Sequence, residues 1–410
     1  MAVASAPTRR ATFLTAGTAT TFVVLLCIVS LFADMTYEGG RSLNGQYLNL
    51  LGASAFAVGI AAGFGEFLGY GVRFFSGRIA DRTGRYWPVA FVGYLLNLFA
   101  VPALALAGAW PVAIGLLFVE RIGKGIRNPS RDAMLSHATK EMGRGWGFGL
   151  HEAMDQTGAF LGPLIGAGVL FARAKGQADL AGYRTVYAAL LIPAACAIIV
   201  LAIARALYPR PAELESKAPK ISTEGMTPGY WLYVVAAGLV GAGFADFQLI
   251  AYHLKQAAIV PDDGIPLLYA LAMGTIAIAA LLAGRLFDRA GFAVLITAFI
   301  LAVPFAPLVF LGGIPLIIAG MVLWGIGMAA QESIMAAAMA DLIPAHRRAY
   351  GYGLFHTVFG VFWFAGSALL GFLYDHSVPA LVIFSVVVQL VALPIFVLAR
   401  SRVAGSVATA

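Results

Sequence analysis

The sequence predicts an all-α integral membrane protein with twelve transmembrane helices in two pseudo-symmetric six-helix bundles. Its composition, its long apolar runs and an internal repeat lead to this prediction. Hydrophobic residues make up 60% of the 410-residue chain and charged residues only 11%. That is too little charge for the surface of a soluble protein, so most of the surface must face lipid.

Long apolar segments follow one another along the whole chain. A helix needs roughly 20 mainly apolar residues to cross about 30 Å of hydrocarbon, and runs of this length exclude the short alternating strands of an outer-membrane barrel. In the first half the predicted spans lie at residues 13–36, 45–70, 88–107, 111–136, 147–172 and 183–207. In the second half they lie at residues 229–252, 265–285, 292–312, 314–341, 350–374 and 379–400.

A polar stretch containing four prolines separates the two sets of spans and is predicted to be a flexible linker. The predicted organisation is an N-terminal tail (1–12), a first bundle (13–207), the linker (208–228), a second bundle (229–400) and a C-terminal tail (401–410).

The basic residues predict the orientation, because loops rich in Lys and Arg stay cytoplasmic. With the N-terminus inside, the outer side receives only Arg41, Arg173, Lys175, Arg184 and Lys255. We therefore expect a multi-pass protein of the cytoplasmic (inner) membrane with both termini in the cytoplasm. This bias also explains the net charge of +7, so we expect no nucleic-acid partner.

The repeat is clearest in two basic segments about 207 residues apart, each predicted to lie in a loop on the inner side. The first copy contains Gly77, Asp81, Arg82, Gly84 and Arg85. The second contains Gly284, Asp288, Arg289 and Gly291, with Phe292 where the first copy has Arg85.

Two shorter matches extend the repeat. Residues 146–150 (Trp-Gly-Phe-Gly-Leu) correspond to residues 350–354 (Tyr-Gly-Tyr-Gly-Leu). Phe-Ala-Asp occurs at residues 32–34 and again at 244–246, late in the first predicted helix of each half.

With these motifs the chain resembles the major facilitator superfamily over essentially its whole length. The segment from Gly77 to Arg85 looks like the superfamily's signature between helices two and three, and Arg121 with Gly125 resembles its fourth-helix signature. The segment from Gly158 to Gly166 resembles a fifth-helix signature associated with antiporters. The resemblance implies a secondary transporter that works by alternating access, with a proton gradient as its energy source and no cofactor.

The residues themselves suggest how two of these motifs act. Gly77 and Gly84 permit a tight turn and close backbone approach, while Asp81 is suited to accept from a helix N-terminus or to pair with an arginine. We interpret both copies as a cytoplasmic gate; the alternative is that their positive charge only orients the protein. In helix five, a packing motif with small side chains on one face is formed by Gly158, Gly162, Pro163 and Gly166, and packing alone is an equally good explanation.

Charged and polar residues within the spans are the candidates for proton coupling or for the substrate cavity, because a charge in hydrocarbon is costly without a partner. These candidates are Asp34, Glu38, Arg41, Arg121, Lys124, Glu152, Asp155, Asp246, Gln331 and Glu332. We expect Asp34 and Asp246 to carry protons, since an unpaired carboxylate in low dielectric retains its proton more readily. The alternatives are a purely structural ion-pair network between helices four and five, and a pairing of Asp34 with Arg41 as an outer gate.

Other classes of function find little support. The chain lacks a phosphate-binding loop, a metal-ligand spacing or a nucleophile with its base, so we expect neither an enzyme nor a metal site. We expect a monomer in the lipid bilayer that exports a small solute by proton antiport. Proton-coupled uptake of an organic anion, and a transporter-like receptor or scaffold without flux, remain alternatives.

Overall fold

Helices account for nearly all of the computed structural model, which describes residues 16–138, 144–174, 178–209, 226–340, 342–343 and 348–408. Within this part of the chain the helices form twelve crossings, six in each half. In the N-terminal half they are α1 (Ala16–Leu50), α2 (Ala55–Thr83), α3 (Tyr86–Ala103), α4 (Trp110–Ala138), α5 (Arg144–Ala174), α6 (Leu180–Ala189) and α7 (Leu191–Leu207). A 3₁₀ turn (Leu104–Leu106) extends α3, and α6 and α7 together make one crossing.

Several crossings of the C-terminal half are built from two helices. The helices are α8 (Pro228–Gly243), α9 (Phe247–Gln256), α10 (Gly264–Ala290), α11 (Phe292–Ala302), α12 (Phe305–Leu311), α13 (Ile314–Ala329), α14 (Met335–Ala340), α15 (Arg348–His376) and α16 (Val378–Ala408). One crossing consists of α8 and α9, another of α11 and α12. A turn of π-helix (Ala330–Ile334) joins α13 to α14.

The first two spans are longer than predicted. Residues 37–44, expected to lie between spans, belong to α1, and α2 continues through most of the repeated basic motif to Thr83. The expectation of loops at these places was wrong, because hydropathy marks where a run stops being apolar and not where a helix ends. The polar side chains of these turns, such as Glu38 and Arg41, find partners on other helices.

Both copies of the basic motif end a helix in the same way. Gly84 (φ 63°) follows α2 and Gly291 (φ 56°) follows α10, in the left-handed region that favours glycine. Their N–H groups donate to the carbonyl oxygens of Ala80 and Phe287, at 2.8 and 2.7 Å. The side chain of Asp81 lies outside the described part of the structure.

The two Phe-Ala-Asp copies differ in backbone. The first is inside the unbroken α1, whereas the second forms the break between α8 and α9. Neighbouring side chains satisfy the backbone groups that the break frees, as a membrane interior requires: Ser385 Oγ donates to the Gly243 carbonyl (2.6 Å), and Trp324 Nε1 to the Ala245 carbonyl (2.9 Å). The break places Asp246 at the N-terminus of α9, between the two halves.

The halves are joined at the end of the molecule where α1 ends and α2 begins, which we call the outer end. Asp375, near the end of α15, accepts from the N–H groups of Ala55 and Phe56 at the start of α2, both at 2.9 Å. Further bonds between the halves connect Asn49 with Gln256 and Ala178 with Asp262. The described hydrogen bonds between the halves lie from Glu38 outwards, so the outer end is closed.

Polarity sets two crossings apart. In the described residues, ten helical segments are long and apolar enough to cross a membrane, and neither α4 nor α5 is among them. Both helices carry several charged residues, which lie near the centre of the molecule.

Candidate functional site: the central cavity

A cavity with two lobes lies between the halves. The main lobe, about 240 Å³, is lined by Arg41, Glu66, Tyr70, Arg73, Met328, Gln331, Glu332, Met335, Ala336, Phe355, His356, Phe359 and Trp363. The acidic lobe, about 60 Å³, is lined by Asp34, Glu38, Arg41, Asp155, Gln156, Ala159, Tyr269, Met273, Ile276, Trp324, Met328 and Glu332. The lobes adjoin, because Arg41, Met328 and Glu332 line both.

Arg41 connects the two halves at the cavity. Its Nη2 lies 2.7 Å from Asp246 Oδ2 and 3.9 Å from Glu66 Oε1. The other oxygen of Asp246 accepts from the Gln248 N–H at 3.0 Å and caps α9. The predicted alternative partner of Arg41 was Asp34, but the structure pairs it with Asp246, so Asp246 is engaged in a buried ion pair and is not among the residues lining the lobes.

Arg121 on α4 is the centre of a second network. Its Nη1 lies 2.6 Å from Glu66 Oε1, its Nε lies 3.5 Å from Glu120 Oε2, and it donates to the hydroxyl of Tyr37. Glu66 was not among the predicted candidates, although this acidic residue lies within the predicted span 45–70. The rule that identified the other candidates, a charge inside an apolar span, identifies Glu66 equally well.

Two further bases of α4 have different environments. The Lys124 ammonium lies 3.5 Å from the centre of the Tyr37 ring, a cation–π contact. Arg127 is fully buried, stacks over Tyr94, and reaches Asp34 Oδ1 at 3.4 Å. Asp34 is therefore held by a base on α4.

The two acidic residues of α5 lie in different surroundings. Asp155 Oδ2 lies 3.4 Å from His151 Nδ1 and 3.9 Å from Arg131 Nη1, and the other ring nitrogen of His151 contacts Ser30 Oγ at 2.9 Å. Glu152 is exposed and accepts from Gln156 at 3.1 Å. Asp155 thus lies at the cavity, whereas Glu152 is not one of the residues lining it.

Two carboxylates on the acidic lobe differ from the others in their surroundings. Glu38, from the N-terminal half, accepts from the Tyr269 hydroxyl at 2.6 Å. Glu332, from the C-terminal half, lies in the π-helical turn beside Gln331, and such turns are frequent at functional sites. In the described part of the chain, neither Glu38 nor Glu332 has a basic side chain within 4 Å.

The glycines of the helix-five motif contact α1. A Cβ added to Gly158 or Gly162 would collide with the carbonyl oxygen of Leu31 or Met35, while one added to Gly166 would lie 3.4 Å from Leu43. Pro163 lies within α5, which continues past it. These contacts explain the motif as packing, and an effect on transport direction stays a prediction.

The gate motif lies at the inner ends of α2 and α10, away from the cavity. The side chains of Arg82, Arg85, Asp288 and Arg289 are exposed. In the first copy, Gly77 lies against Pro129 of α4, whereas Gly284 in the second copy faces open space. The gating role of these residues stays a prediction.

Comparison with known families agrees with this architecture. The sequence matches the Major Facilitator Superfamily over residues 10–289 and again over residues 247–408. The chain belongs to this superfamily. It is accordingly a multi-pass membrane protein of a transporter family, not of an enzyme family.

Individual known proteins are similar to the chain to different extents. An uncharacterized protein of Mycobacterium tuberculosis is 36% identical over 393 residues, covering 94% of each chain. The multidrug resistance protein MdtH of Edwardsiella ictaluri is 31% identical over 125 residues, which is 30% of this chain and 31% of that protein. The crystal structure of the nucleoside transporter NupG aligns with a TM-score of 0.71 at 11% identity, covering 93% of this chain and 98% of that one, and this likeness shows the fold alone.

Proposed function

We propose that this protein exports a small solute in exchange for protons. The observation that carries the proposal is that Glu38 and Glu332, one from each half, line the same acidic lobe, with no basic side chain within 4 Å of either among the described residues. Two charged carboxylates that line one lobe repel each other. Binding of a proton, or of a positively charged group, therefore favours closure of the halves around the lobe.

Such a site couples two gradients by competition. A ligand shifts a two-state equilibrium only through its different affinity for the two states, and here the proton and the solute act on the same carboxylates. Binding of the proton excludes the solute and the reverse, so the binding site reorients across the membrane with either the proton or the solute bound. This exchange is antiport.

Export is supported by two further observations. The glycine-proline pattern of α5 resembles the antiporter signature of the superfamily, and part of the chain is similar to a multidrug resistance protein. With the termini in the cytoplasm, the closed outer end corresponds to a state that loads solute from inside. Exported solute is then released outside as a proton enters.

Uptake of an organic anion with protons is the second candidate. Its support is a small niche beside the main lobe that Arg73, Arg121 and Lys124 line together with Glu66. Arg121 is already engaged with Glu66 and Glu120, and the niche, of about 10 Å³, is too small for an organic anion. We therefore place this candidate second.

Transport by the purified protein in proteoliposomes tests the proposal. Labelled solutes, including amines, acids and neutral metabolites, are offered to vesicles with an acidic or an alkaline interior, with and without nigericin to collapse the pH gradient. Antiport predicts accumulation of a solute in the acidic interior, abolished by nigericin. Accumulation in the alkaline interior would indicate symport, and no flux from a folded protein would indicate a receptor or scaffold.

A further inference from the structure

We propose that the transported solute is an organic cation, an amine attached to a flat aromatic body. The amine occupies the acidic lobe and the aromatic body lies in the main lobe against α15. This inference rests on the proposed function, since it assigns the substrate class of the same cavity. It does not depend on the coupling ion.

The acidic lobe is suited to a positive charge. Its lining includes four carboxylates and a single basic residue, Arg41, whose guanidinium is already bound to Asp246 at 2.7 Å. Asp34 and Asp155 have Arg127 and Arg131 as neighbours, but Glu38 and Glu332 keep their negative charge uncompensated within 4 Å among the described residues. An ammonium group fits a lobe of about 60 Å³, whereas a carboxylate or phosphate would be repelled.

One face of α15 supplies an aromatic wall to the main lobe. Phe355, Phe359 and Trp363 follow one another at four-residue spacing, which places them on the same side of the helix. Neighbouring ring centres are 5.7 Å apart in both pairs, and Tyr70 of the other half also lines the lobe. Aromatic faces bind other aromatic rings and attract cations.

An unpaired donor on this wall points to a bound ligand. Trp363 is 5% exposed, and its Nε1 has no hydrogen-bond partner among the described atoms. Buried polar atoms without a partner are uncommon in native proteins, and the indole N–H is a donor only. We therefore expect the aromatic body to carry an oxygen or a ring nitrogen that accepts from Trp363.

The size of the cavity limits the solute. The lobes, of about 240 and 60 Å³, lie together near the lower end of the range of about 300 to 1,000 Å³ for small-molecule sites. Met328 and Met335 line the main lobe, and methionine adapts to ligands of different shape. A solute with one or two fused rings and a short aminoalkyl group fits these dimensions.

Equilibrium binding to the purified full-length protein in detergent, measured by calorimetry without a pH gradient, tests the inference. Four matched probes are used: 1-naphthylmethylammonium, 1-naphthylmethanol, 1-naphthoate and cyclohexylmethylammonium. The naphthyl ammonium should bind about tenfold more tightly than the alcohol or the cyclohexyl ammonium, a difference of about 1.4 kcal/mol. Naphthoate should not bind.

Variants test which lobe binds the ammonium group of the probe and which binds its ring. Glu332→Gln should weaken binding of the naphthyl ammonium about tenfold and leave the alcohol unchanged, and Glu38→Gln is the second variant should the first fail to fold. A quinoline analogue, which adds a ring acceptor, should gain affinity in the wild type and not in Trp363→Phe. Asp132→Asn is the control, because Asp132 is 54% exposed outside both lobes.

Four results would overturn the inference. Three concern the wild type: binding of naphthoate as tight as that of the ammonium, equal binding of ammonium and alcohol, and no binding of any probe up to its solubility limit. The fourth is an equal affinity of wild type and Glu332→Gln for the ammonium, which would show partition into detergent. Selective cation binding without gradient-driven transport would contradict only the proton antiport.

Discussion

The two halves share a backbone plan but differ in chemistry at matching positions. At a spacing of 204 residues, the polar residues of α4 correspond to mostly apolar ones of α13 and the turn after it: Glu120, Arg121, Lys124 and Arg127 match Trp324, Gly325, Met328 and Gln331. At the same spacing, residues of α5 correspond to the aromatic wall of α15: His151, Asp155 and Ala159 match Phe355, Phe359 and Trp363.

This difference shows how one cavity combines charge with apolar surface. The N-terminal half contains most of the buried ions and most of their partners, since Arg121 with Glu66 and Arg127 with Asp34 pair within it. To the cavity region the C-terminal half supplies rings, methionines and two carboxylates, of which Asp246 is paired with Arg41. The other is Glu332, at the position that Asn128 occupies in the first half, and it is the carboxylate of this half that we propose for coupling.

The largest expected effect comes from breaking the charge network of the N-terminal half. Arg121→Gln leaves Glu120 without its base and Glu66 with only Arg41, at 3.9 Å, and removing one partner of a buried pair costs about 3 to 5 kcal/mol. The free energy of unfolding, measured in detergent, should fall by an amount near this range. Met328→Gln, at the position that matches Lys124, should change stability by less than about 1.5 kcal/mol, and equal losses would contradict the contrast between the halves.

A smaller effect is expected where the halves meet. Asp375→Ala removes the cap that α15 places on α2, worth about 1 kcal/mol, and should shift the closed-to-open ratio of the outer end about fivefold. Distances between spin labels at Leu106→Cys and Leu311→Cys, in a background without Cys27 and Cys196, report this shift. Asp179→Ala removes a cap within the N-terminal half, on α6, and should leave the distances unchanged; an equal response would show that the Asp375 cap does not hold the outer end closed.

The smallest effect concerns a single hydroxyl between the halves. Tyr269→Phe removes the donor to Glu38 and should lower the free energy of unfolding by only about 0.5 kcal/mol, because the half-buried Glu38 can bond to water instead. Tyr252→Phe, which removes a longer bond of 3.1 Å to the Ala53 carbonyl across the halves, is the matched comparison. An unchanged free energy of unfolding in Tyr269→Phe would mean that this hydrogen bond does not stabilise the closed state.

The sequence predicted what depends on local composition. The twelve crossings, their division into two halves and the superfamily all follow from apolar run length and repeated motifs. The ends of α1 and α2 were wrong, because polar residues such as Glu38 continue a helix when a distant residue satisfies them. No local signal marks such a partner.

The site was predicted less completely, for the same reason. The charge rule selected most of the ionisable residues that line the cavity, although Glu66 was overlooked despite meeting the rule. Which charges pair depends on contacts far apart in sequence, such as Arg41 with Asp246, and these are set by the packing of the halves. The aromatic wall on α15 carries no charge, so a search for charges within spans does not find it.

We assign the coupling of transport to protons to Glu332. A solute identified in the proteoliposome panel allows uphill accumulation, driven by an acidic interior, to be compared with exchange at equal pH in wild type, Glu332→Gln and the control Glu152→Gln, which does not line the acidic lobe. We predict that Glu332→Gln keeps exchange but loses accumulation, while the control keeps both. Undiminished accumulation by Glu332→Gln would show that Glu332 does not couple transport to protons.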